Sequence, residues 1–245
     1  NPNPLANALA LAKTPTLTRL FKNYPNTTLT TFGERVGLPE GQMGNSEVGH
    51  LNLGAGRVIE QWLLRIGRAL KGNFLSESKE YRTFISAMQT GKAIHAIGLF
   101  SDGGVHSHCD HVYFLIDRLT KDFKGAIYLH VITDGRDTST TQSLDKIPEL
   151  MEKLKQYPTV KIATVSGRYF AMDRDKRWDR TKLAYDAIAL GRGAGGSDIL
   201  SYIKTSHTNG VTDEFIEPAV VTKAPIGVAD GILFWNFRED RVRQI

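Results

Sequence analysis

A serine set among glycines is the first feature of this sequence that invites chemistry. Residues Gly41-Gln42-Met43-Gly44-Asn45-Ser46-Glu47-Val48-Gly49-His50 run into Leu51-Asn52-Leu53-Gly54-Ala55-Gly56. A serine at the start of a helix is a candidate nucleophile, because the unpaired N–H groups of a first helical turn favour an anion beside it. It does not form the elbow of serine hydrolases, G-x-S-x-G, since the second glycine falls one place too late. The plain rival is a glycine-rich turn with no chemistry.

The second feature is a set of polar clusters, each directly after a short apolar run. The runs are Ala93 to Phe100, Ala126 to Thr133, Val160 to Ser166 and Gly231 to Phe237. The first leads into Ser101-Asp102-Gly103-Gly104-Val105-His106, the second into Asp134-Gly135-Arg136-Asp137. Gly167-Arg168 follows the third, with Arg174 beyond it, and Arg238-Glu239-Asp240-Arg241 follows the fourth. In open parallel sheets ligands bind outside the carboxyl ends of the strands, so four parallel strands would bring these clusters to one rim. Arginine presents a planar fork that matches phosphate and carboxylate oxygens, which points to a small polyanionic substrate. The rival is that each arginine pairs with a neighbouring Asp or Glu at the surface, an interaction of little energy. Repetition at four strand ends weighs against coincidence.

Other patterns carry less. Gly191-Arg192-Gly193-Ala194-Gly195-Gly196 spells G-x-G-x-x-G, but it follows an expected helix where a dinucleotide fingerprint must follow a strand, so it reads as a helix cap and loop. No G-x-x-x-x-G-K-[ST] loop is present. His106, His108, Cys109 and His111 are crowded, yet their spacing matches no zinc motif. Trp178 and Trp235 read as packing residues.

The elements that must position these residues alternate. Apolar positions recur at helical spacing in Asp110 to Phe123 (Val112, Leu115, Ile116, Leu119) and in Thr141 to Gln156 (Leu144, Ile147, Leu150, Met151, Leu154), where Pro148 predicts a kink or a late start. Asp179 to Leu190 is a third helix, and Gln61 to Leu70 and Glu77 to Gln89 are two more. Strands alternating with helices predict a largely parallel α/β sheet. The first sixty residues differ in texture, with an expected helix from Leu5 to Ala12, a Thr-rich stretch and then the glycine-rich segment, so a domain junction is expected near Glu60-Gln61.

Composition is that of an ordinary globular chain of 245 residues, 41% hydrophobic and 23% charged. The net charge of +5 is scattered, without a Lys/Arg run of five or more, which argues against a nucleic-acid partner. No apolar run of the ~18 residues a membrane-spanning helix needs occurs. The start, Asn1-Pro2-Asn3-Pro4, lacks the basic flank of a secretory signal. Cys109 is the single cysteine, in keeping with a reducing compartment.

GQMGNSEVGHLNLGAG (Gly41 to Gly56) closely resembles the active-serine segment of the cofactor-independent phosphoglycerate mutases. SDGGVHSH (Ser101 to His108), DGRDT (Asp134 to Thr138), SGRYFAMDRDKRWDR (Ser166 to Arg180), TDEFIEP (Thr212 to Pro218) and NFREDRVRQ (Asn236 to Gln244) resemble that family's motifs in its order. The resemblance implies an α/β enzyme with an alkaline-phosphatase-like domain, here partial (residues 1–60). An inserted α/β substrate-binding domain on a largely parallel sheet (residues 61–245) would complete it. It implies interconversion of 3-phosphoglycerate and 2-phosphoglycerate through a phosphoserine, in glycolysis and gluconeogenesis, by a cytoplasmic monomer. The runner-up is a metal-dependent phosphomonoesterase of the alkaline phosphatase class. Two divalent metal ions, typically manganese, are implied as cofactors. By position Ser46 matches the phosphorylated serine, which also touches a metal. His106, Arg136, Asp137, Arg168, Arg174, Arg238 and Arg241 match the substrate-binding residues, and His106 and Asp137 both remain candidates for orienting the glycerate hydroxyls. The family's pattern places a metal-binding aspartate just before the position of Asn1. It places further Asp/His metal motifs and a substrate-binding lysine beyond Ile245. The residues given are therefore expected to hold the serine and most of the glycerate site but almost none of the metal site.

Overall fold

The computed structural model describes residues 7–72, 74–89, 92–196 and 198–245 and divides the chain into two compact units, Asn1–Ile59 and Glu60–Ile245. The second unit is built on one sheet. Its strands are β1 (Ile94–Leu99), β2 (Ile127–Thr133), β3 (Val160–Gly167), β4 (Ala194–Gly195), β5 (Ala219–Val220) and β6 (Gly231–Phe234), in the order β4-β5-β3-β2-β1-β6. The four strands expected from sequence are mutually parallel, as alternation with helices requires. The two-residue strands β4 and β5 were not expected. β5 runs antiparallel to β3 and takes β4 as a parallel edge.

Both faces of the sheet are covered, and this explains why β1 is buried at every residue. Side chains alternate between the faces. Ile94, Ala96, Ile127, Leu129 and Val131 join one core with α6 (Lys79–Ala87), which follows α4 (Trp62–Lys71) and α5 (Phe74–Glu77), and with α7 (Cys109–Asp122), α8 (Ser143–Leu154) and α11 (Ile199–Thr208). Ile97, Leu99 and Ile132 join another with α9 (Arg168–Ala171) and α10 (Trp178–Leu190). In β3 the parity changes between Ile162 and Val165, because an extra residue opens a bulge opposite Leu129 and His130.

Several elements differ from the sequence reading for identifiable reasons. β6 ends at Phe234, three residues early, because side chains replace the ladder. Asn236 Oδ1 accepts from the Leu99 amide (2.9 Å), and the Trp235 indole donates to the Leu99 carbonyl (2.7 Å). Trp235 is thus a packing residue, whereas Trp178, at the start of α10, is 57% exposed. α8 runs through Pro148 rather than starting after it. Met151, one residue and ~100° beyond buried Leu150, turns to solvent. α11 was not foreseen. Its start is capped by Asp198, whose carboxylate accepts from the amides of Leu200 and Ser201, and Ile199 and Ile203 fill the core. Gly191 caps α10 in the left-handed conformation, as expected of the glycine-rich segment after it. Among the described residues no helix is long and apolar enough to cross a membrane.

The first unit holds α1 (Ala8–Leu11), α2 (Pro15–Asn23) and α3 (Ser46–Ala55); its small core is Val36, Leu38 and Val48, to which α3 alone of these helices contributes. The expected helix over Leu5 to Ala12 is confined to α1, its first residues lying outside those described. α2 was not foreseen. Pro15 fits the first helical position, and Leu17, Leu20 and Phe21 share one face, all exposed. With so little apolar area buried, this unit has little to resist opening. Amide hydrogen exchange should therefore show weaker protection in α2 and α3 than in β1, β2 and β3. Equal protection would contradict the thin core.

Across the second face of the sheet three buried side chains form a polar chain. His95 Nδ1 lies 2.8 Å from His130 Nε2, and His130 Nδ1 lies 3.0 Å from Thr164 Oγ1. Burial, then His95, pushes the His130 pKa down to about 3, and burial lowers that of His95 despite Asp230 3.5 Å away. An unfolded histidine takes its proton near pH ~6.5, so below that pH the unfolded chain binds more protons than the folded one. Stability is therefore full above that point and is lost as pH falls toward the folded values. Each such imidazole contributes up to about 1.4 kcal/mol per pH unit. The urea midpoint should fall between pH 7 and pH 5, and His130→Gln should flatten that slope even if it lowers stability at pH 7. An unchanged slope would refute the assignment.

Candidate active site

Because β1, β2, β3 and β6 are parallel, their carboxyl ends open on one rim. The loops there are joined through Asp134, 1% exposed. Its Oδ2 accepts from the Ser101 hydroxyl after β1 (2.6 Å) and its Oδ1 from Arg168 Nη1 after β3 (2.6 Å). Oδ1 also receives the amides of Arg136 and Asp137 from its own loop (3.2 and 3.0 Å). That turn needs Gly135, which sits at φ +72° and where a Cβ would lie 2.7 Å from the Glu214 nitrogen. Burial works to raise the Asp134 pKa, but the Ser101 hydroxyl, the Asp137 amide and Arg168 outweigh it and hold the carboxyl below its ordinary value.

Every rim residue expected from sequence meets another acidic or basic group here. Arg168, 4% exposed, also donates to Asp137 Oδ2 (2.6 Å), so its pairing is buried and not the surface ion pair of the rival reading. His106 is buried, and its carbonyl accepts from the Phe237 amide (2.9 Å), which ties the β1 loop to the β6 loop. Its Nε2 lies 3.8 Å from Asp137 Oδ2 and its Nδ1 3.8 Å from Asp240 Oδ1. Burial, then Arg168 and Arg238, push its pKa down to about 4 against the pull of Asp137 and Asp240, so the ring is neutral near pH 7. Arg174, Arg238 and Arg241 all approach Asp240, at 3.4, 3.7 and 3.9 Å. Burial, then Arg174 and Arg168, push the Arg241 guanidinium below its ordinary value, the signature of crowded cations. Arg136 is more exposed and reaches Glu214 Oε1 at 3.4 Å.

Supports came to light that sequence reasoning had not singled out. Asp173 accepts from the amides of Asp175 (2.9 Å) and Arg177 (3.0 Å) and from Gln244 Nε2 (2.8 Å). It thereby pins the loop bearing Arg174 to the segment bearing Arg241. These hydrogen bonds overcome burial and bring its pKa down to about 2. Asp213, fully buried, accepts from the Ser143 amide at the start of α8, and its own carbonyl accepts from the Thr133 hydroxyl (2.7 Å). That fixes Glu214 beside Arg136. Arg136, Arg168, Tyr169 and Arg241 help line a polar cleft of about 320 Å³, at the low end for small ligands. A larger cleft of about 410 Å³ between Tyr113, Phe114 and Tyr157 lacks such convergent arginines.

The crowded histidines do not converge. His106 belongs to the rim, and His108, Cys109 and Asp110 bring ligand atoms within 4.8 Å of one another at the start of α7. There burial, then Asp110, push the Cys109 thiol up to about 11, which keeps it protonated and a poor ligand.

In the first unit Ser46 opens α3, capped by Asn45, whose side chain accepts from the Val48 amide (3.1 Å). Gly44 before it is obligatory, since a Cβ there would fall 2.0 Å from the Thr31 carbonyl oxygen. The Ser46 hydroxyl is exposed and lies 3.2 Å from His50 Nδ1. That nitrogen lies 2.7 Å from the Ser46 carbonyl oxygen, which can only accept, so Nδ1 carries its hydrogen and is no base for the hydroxyl. Among the described residues no group of His, Cys, Asp and Glu ligands assembles around Ser46.

Comparison with known proteins bears on the whole arrangement. A family model described as the N-terminus of BPG-independent PGAM matches residues 66–245. A 2,3-bisphosphoglycerate-independent phosphoglycerate mutase from a Picosynechococcus species is 46% identical over 241 residues, 98% of this chain and 46% of the relative. The protein of that name from Clostridium perfringens is 45% identical over 251 residues, 100% of this chain and 49% of the relative. The crystal structure of Leishmania mexicana phosphoglycerate mutase at low cobalt concentration superposes with a TM-score of 0.83 at 33% identity, covering 97% of this chain and 46% of that one. The chain thus spans about half the length of the curated relatives it matches. With its parallel sheet, its arginine rim and a family match over residues 66–245, the chain belongs to the 2,3-bisphosphoglycerate-independent phosphoglycerate mutase family.

Proposed function

We propose that the full-length protein interconverts 3-phosphoglycerate and 2-phosphoglycerate through a phosphoserine at Ser46, without 2,3-bisphosphoglycerate. The observation that carries this is the rim, where Arg174, Arg238 and Arg241 share one carboxylate around a buried neutral His106. Guanidiniums held 3.4–3.9 Å from a shared partner keep donors for an incoming anion. Glycerate offers a carboxylate for such forks and hydroxyls for the neutral ring and Asp137. On this reading the second unit is the inserted substrate-binding domain and the first is part of a phosphatase-like domain. The protein is then a cytoplasmic monomer without nucleic-acid or membrane partners.

The chemistry is an exchange of oxygen partners on phosphorus. The phosphoryl leaves one glycerate oxygen for Ser46 Oγ, the glycerate stays on the arginines and turns, and its other hydroxyl takes the phosphoryl back. The rim arginines hold the glycerate through both transfers, which keeps the exchange intramolecular. Among the described residues His50 offers the Ser46 hydroxyl no base, which suits a hydroxyl activated by bound metal. Two divalent ions, manganese by preference, would take Ser46 Oγ as one ligand, and when bound would lower the hydroxyl pKa and offset phosphoryl charge.

The test supplies full-length protein with 3-phosphoglycerate and manganese and no 2,3-bisphosphoglycerate, and follows 2-phosphoglycerate and free phosphate. The isomer should form, and Ser46→Ala should abolish it without loss of fold. Free phosphate alone would replace the mutase by a phosphomonoesterase of the same class, and neither product would leave a binding module.

The rim makes two separable predictions. Arg238→Ala should lower turnover by about 10²–10³-fold, the scale for one charge-stabilising donor, with lysine rescuing only part of it. Arg168→Ala should also destabilise the fold, by about 3–5 kcal/mol, since it leaves Asp134 buried without its cation. Normal kinetics in the first variant, or an unchanged denaturation midpoint in the second, would contradict the assigned roles.

A further inference from the structure

His106 Nδ1 and Asp240 Oδ1 are both buried, both without a hydrogen-bond partner, and 3.8 Å apart. Orphaned polar atoms of this kind are rare because each forfeits its hydration. A small shift of either loop would bring the pair into contact.

The ring lies between two carboxylates, Asp137 at Nε2 and Asp240 at Nδ1, each at 3.8 Å. A neutral imidazole has one N–H and one acceptor nitrogen, so it can satisfy only one of two groups that only accept. The two carboxylates are not equivalent. Asp137 Oδ2 already accepts from Arg168 at 2.6 Å. Asp240 Oδ1 has Arg238 Nε no nearer than 3.7 Å, beyond hydrogen-bond reach. The stronger acceptor still without a donor is on the Asp240 side.

We propose that Asp240 is a positioning residue of the rim. Its carboxylate takes the Nδ1–H of His106, leaves Nε2 as the acceptor for a ligand hydroxyl, and gathers Arg174, Arg238 and Arg241 into one fan. The inference rests on the reading of the rim as the glycerate site. With Nδ1 committed, Nε2 presents a lone pair toward Asp137, an arrangement that no neighbouring acceptor satisfies and that a hydroxyl donor does. The fan follows from sharing. Arg174 Nη1, Arg238 Nε and Arg241 Nε converge on the two oxygens of Asp240 without a close contact. Arg241 Nε is itself buried and makes no hydrogen bond. A ligand carboxylate can therefore displace Asp240 from these cations without breaking a tight ion pair.

The test reads the tautomer directly. In full-length protein labelled with ¹⁵N-histidine, two-bond proton–nitrogen correlations should show His106 as the Nδ1–H form, its signal identified by its loss in His106→Gln. Asp240→Asn places an amide that can donate to Nδ1, and His106 should move toward the Nε2–H form. With 3-phosphoglycerate, kcat of this variant should fall about 10–100-fold, the scale for removing a partner that orients a functional histidine. Asp240→Glu should recover part of both signals. Nε2–H in the unaltered protein, an unmoved tautomer in Asp240→Asn, or a switched tautomer with unchanged turnover would each overturn the proposal. Should the unaltered protein show no isomerase activity, the mutase reading fails, and the tautomer measurement still judges Asp240 alone.

Discussion

A carboxylate almost wholly removed from water must be matched by donors, and Asp134 is matched by three separate loops of the rim. Ser101 arrives from β1, Arg168 from β3, and the Arg136 and Asp137 amides from the turn after β2. A buried ion pair of this kind is poor evidence of net stability, because desolvation of both ions offsets most of their attraction. Its consequence is geometric. With Arg168 held by Asp134 on one side and Asp137 on the other, the loops of three strands have one satisfied arrangement. Any other leaves a charge unpaired in the interior.

That arrangement also sets the electrostatics of the ring beside it. Arg168 cannot lose its charge, and together with burial and Arg238 it keeps His106 neutral. The same cation therefore fixes loop geometry and adds to burial in keeping the imidazole neutral. Asp173 serves the outer arginines in a comparable way, pinning the Arg174 loop to the segment of Arg241 through backbone amides and Gln244. These guanidiniums are thus held by their backbones, and their side-chain contacts are long, 3.4 Å to Asp240 for Arg174 and to the Met172 carbonyl for Arg241.

How far this was legible in the sequence depends on what kind of force decided each feature. The four parallel strands were, because strands in a sheet covered on both faces read as short, mainly apolar runs, and β1 to β3 do so despite His95, His130, Lys161 and Thr164, as does the half-exposed β6. So were the rim residues, since a polar cluster directly after such a run has to lie at the strand's carboxyl end. β4 and β5 were not legible. Two residues carry no period, and their pairing follows from the long return of the chain alongside β3. The early end of β6 was hidden too, since Trp235 and Asn236 look like strand residues until their side chains take the hydrogen bonds of Leu99. Asp240 and Asp173 stood in view beside conspicuous arginines. What sequence alone lacked was the burial of Asp173 and of one Asp240 oxygen, which turns an ordinary surface acid into a shared support.

Ser46 shows the complementary limit. Its motif announces a nucleophile, and the local structure does what a nucleophile needs by way of placement: a capped helix start, an obligatory glycine before it and an exposed hydroxyl. Activation does not come from its neighbour His50. His50 stands one helical turn away, the usual spacing for a partner, yet its hydrogen is committed to the Ser46 carbonyl. A serine in that state attacks phosphorus no better than an ordinary alcohol unless a cation or base from elsewhere reaches its oxygen. The rim in the second unit has the opposite character, rich in charge and orientation and without a nucleophile of its own. On the reading proposed above, Ser46 supplies the attacking atom and the rim the grip on the substrate, so the two tasks fall to separate compact units of one chain.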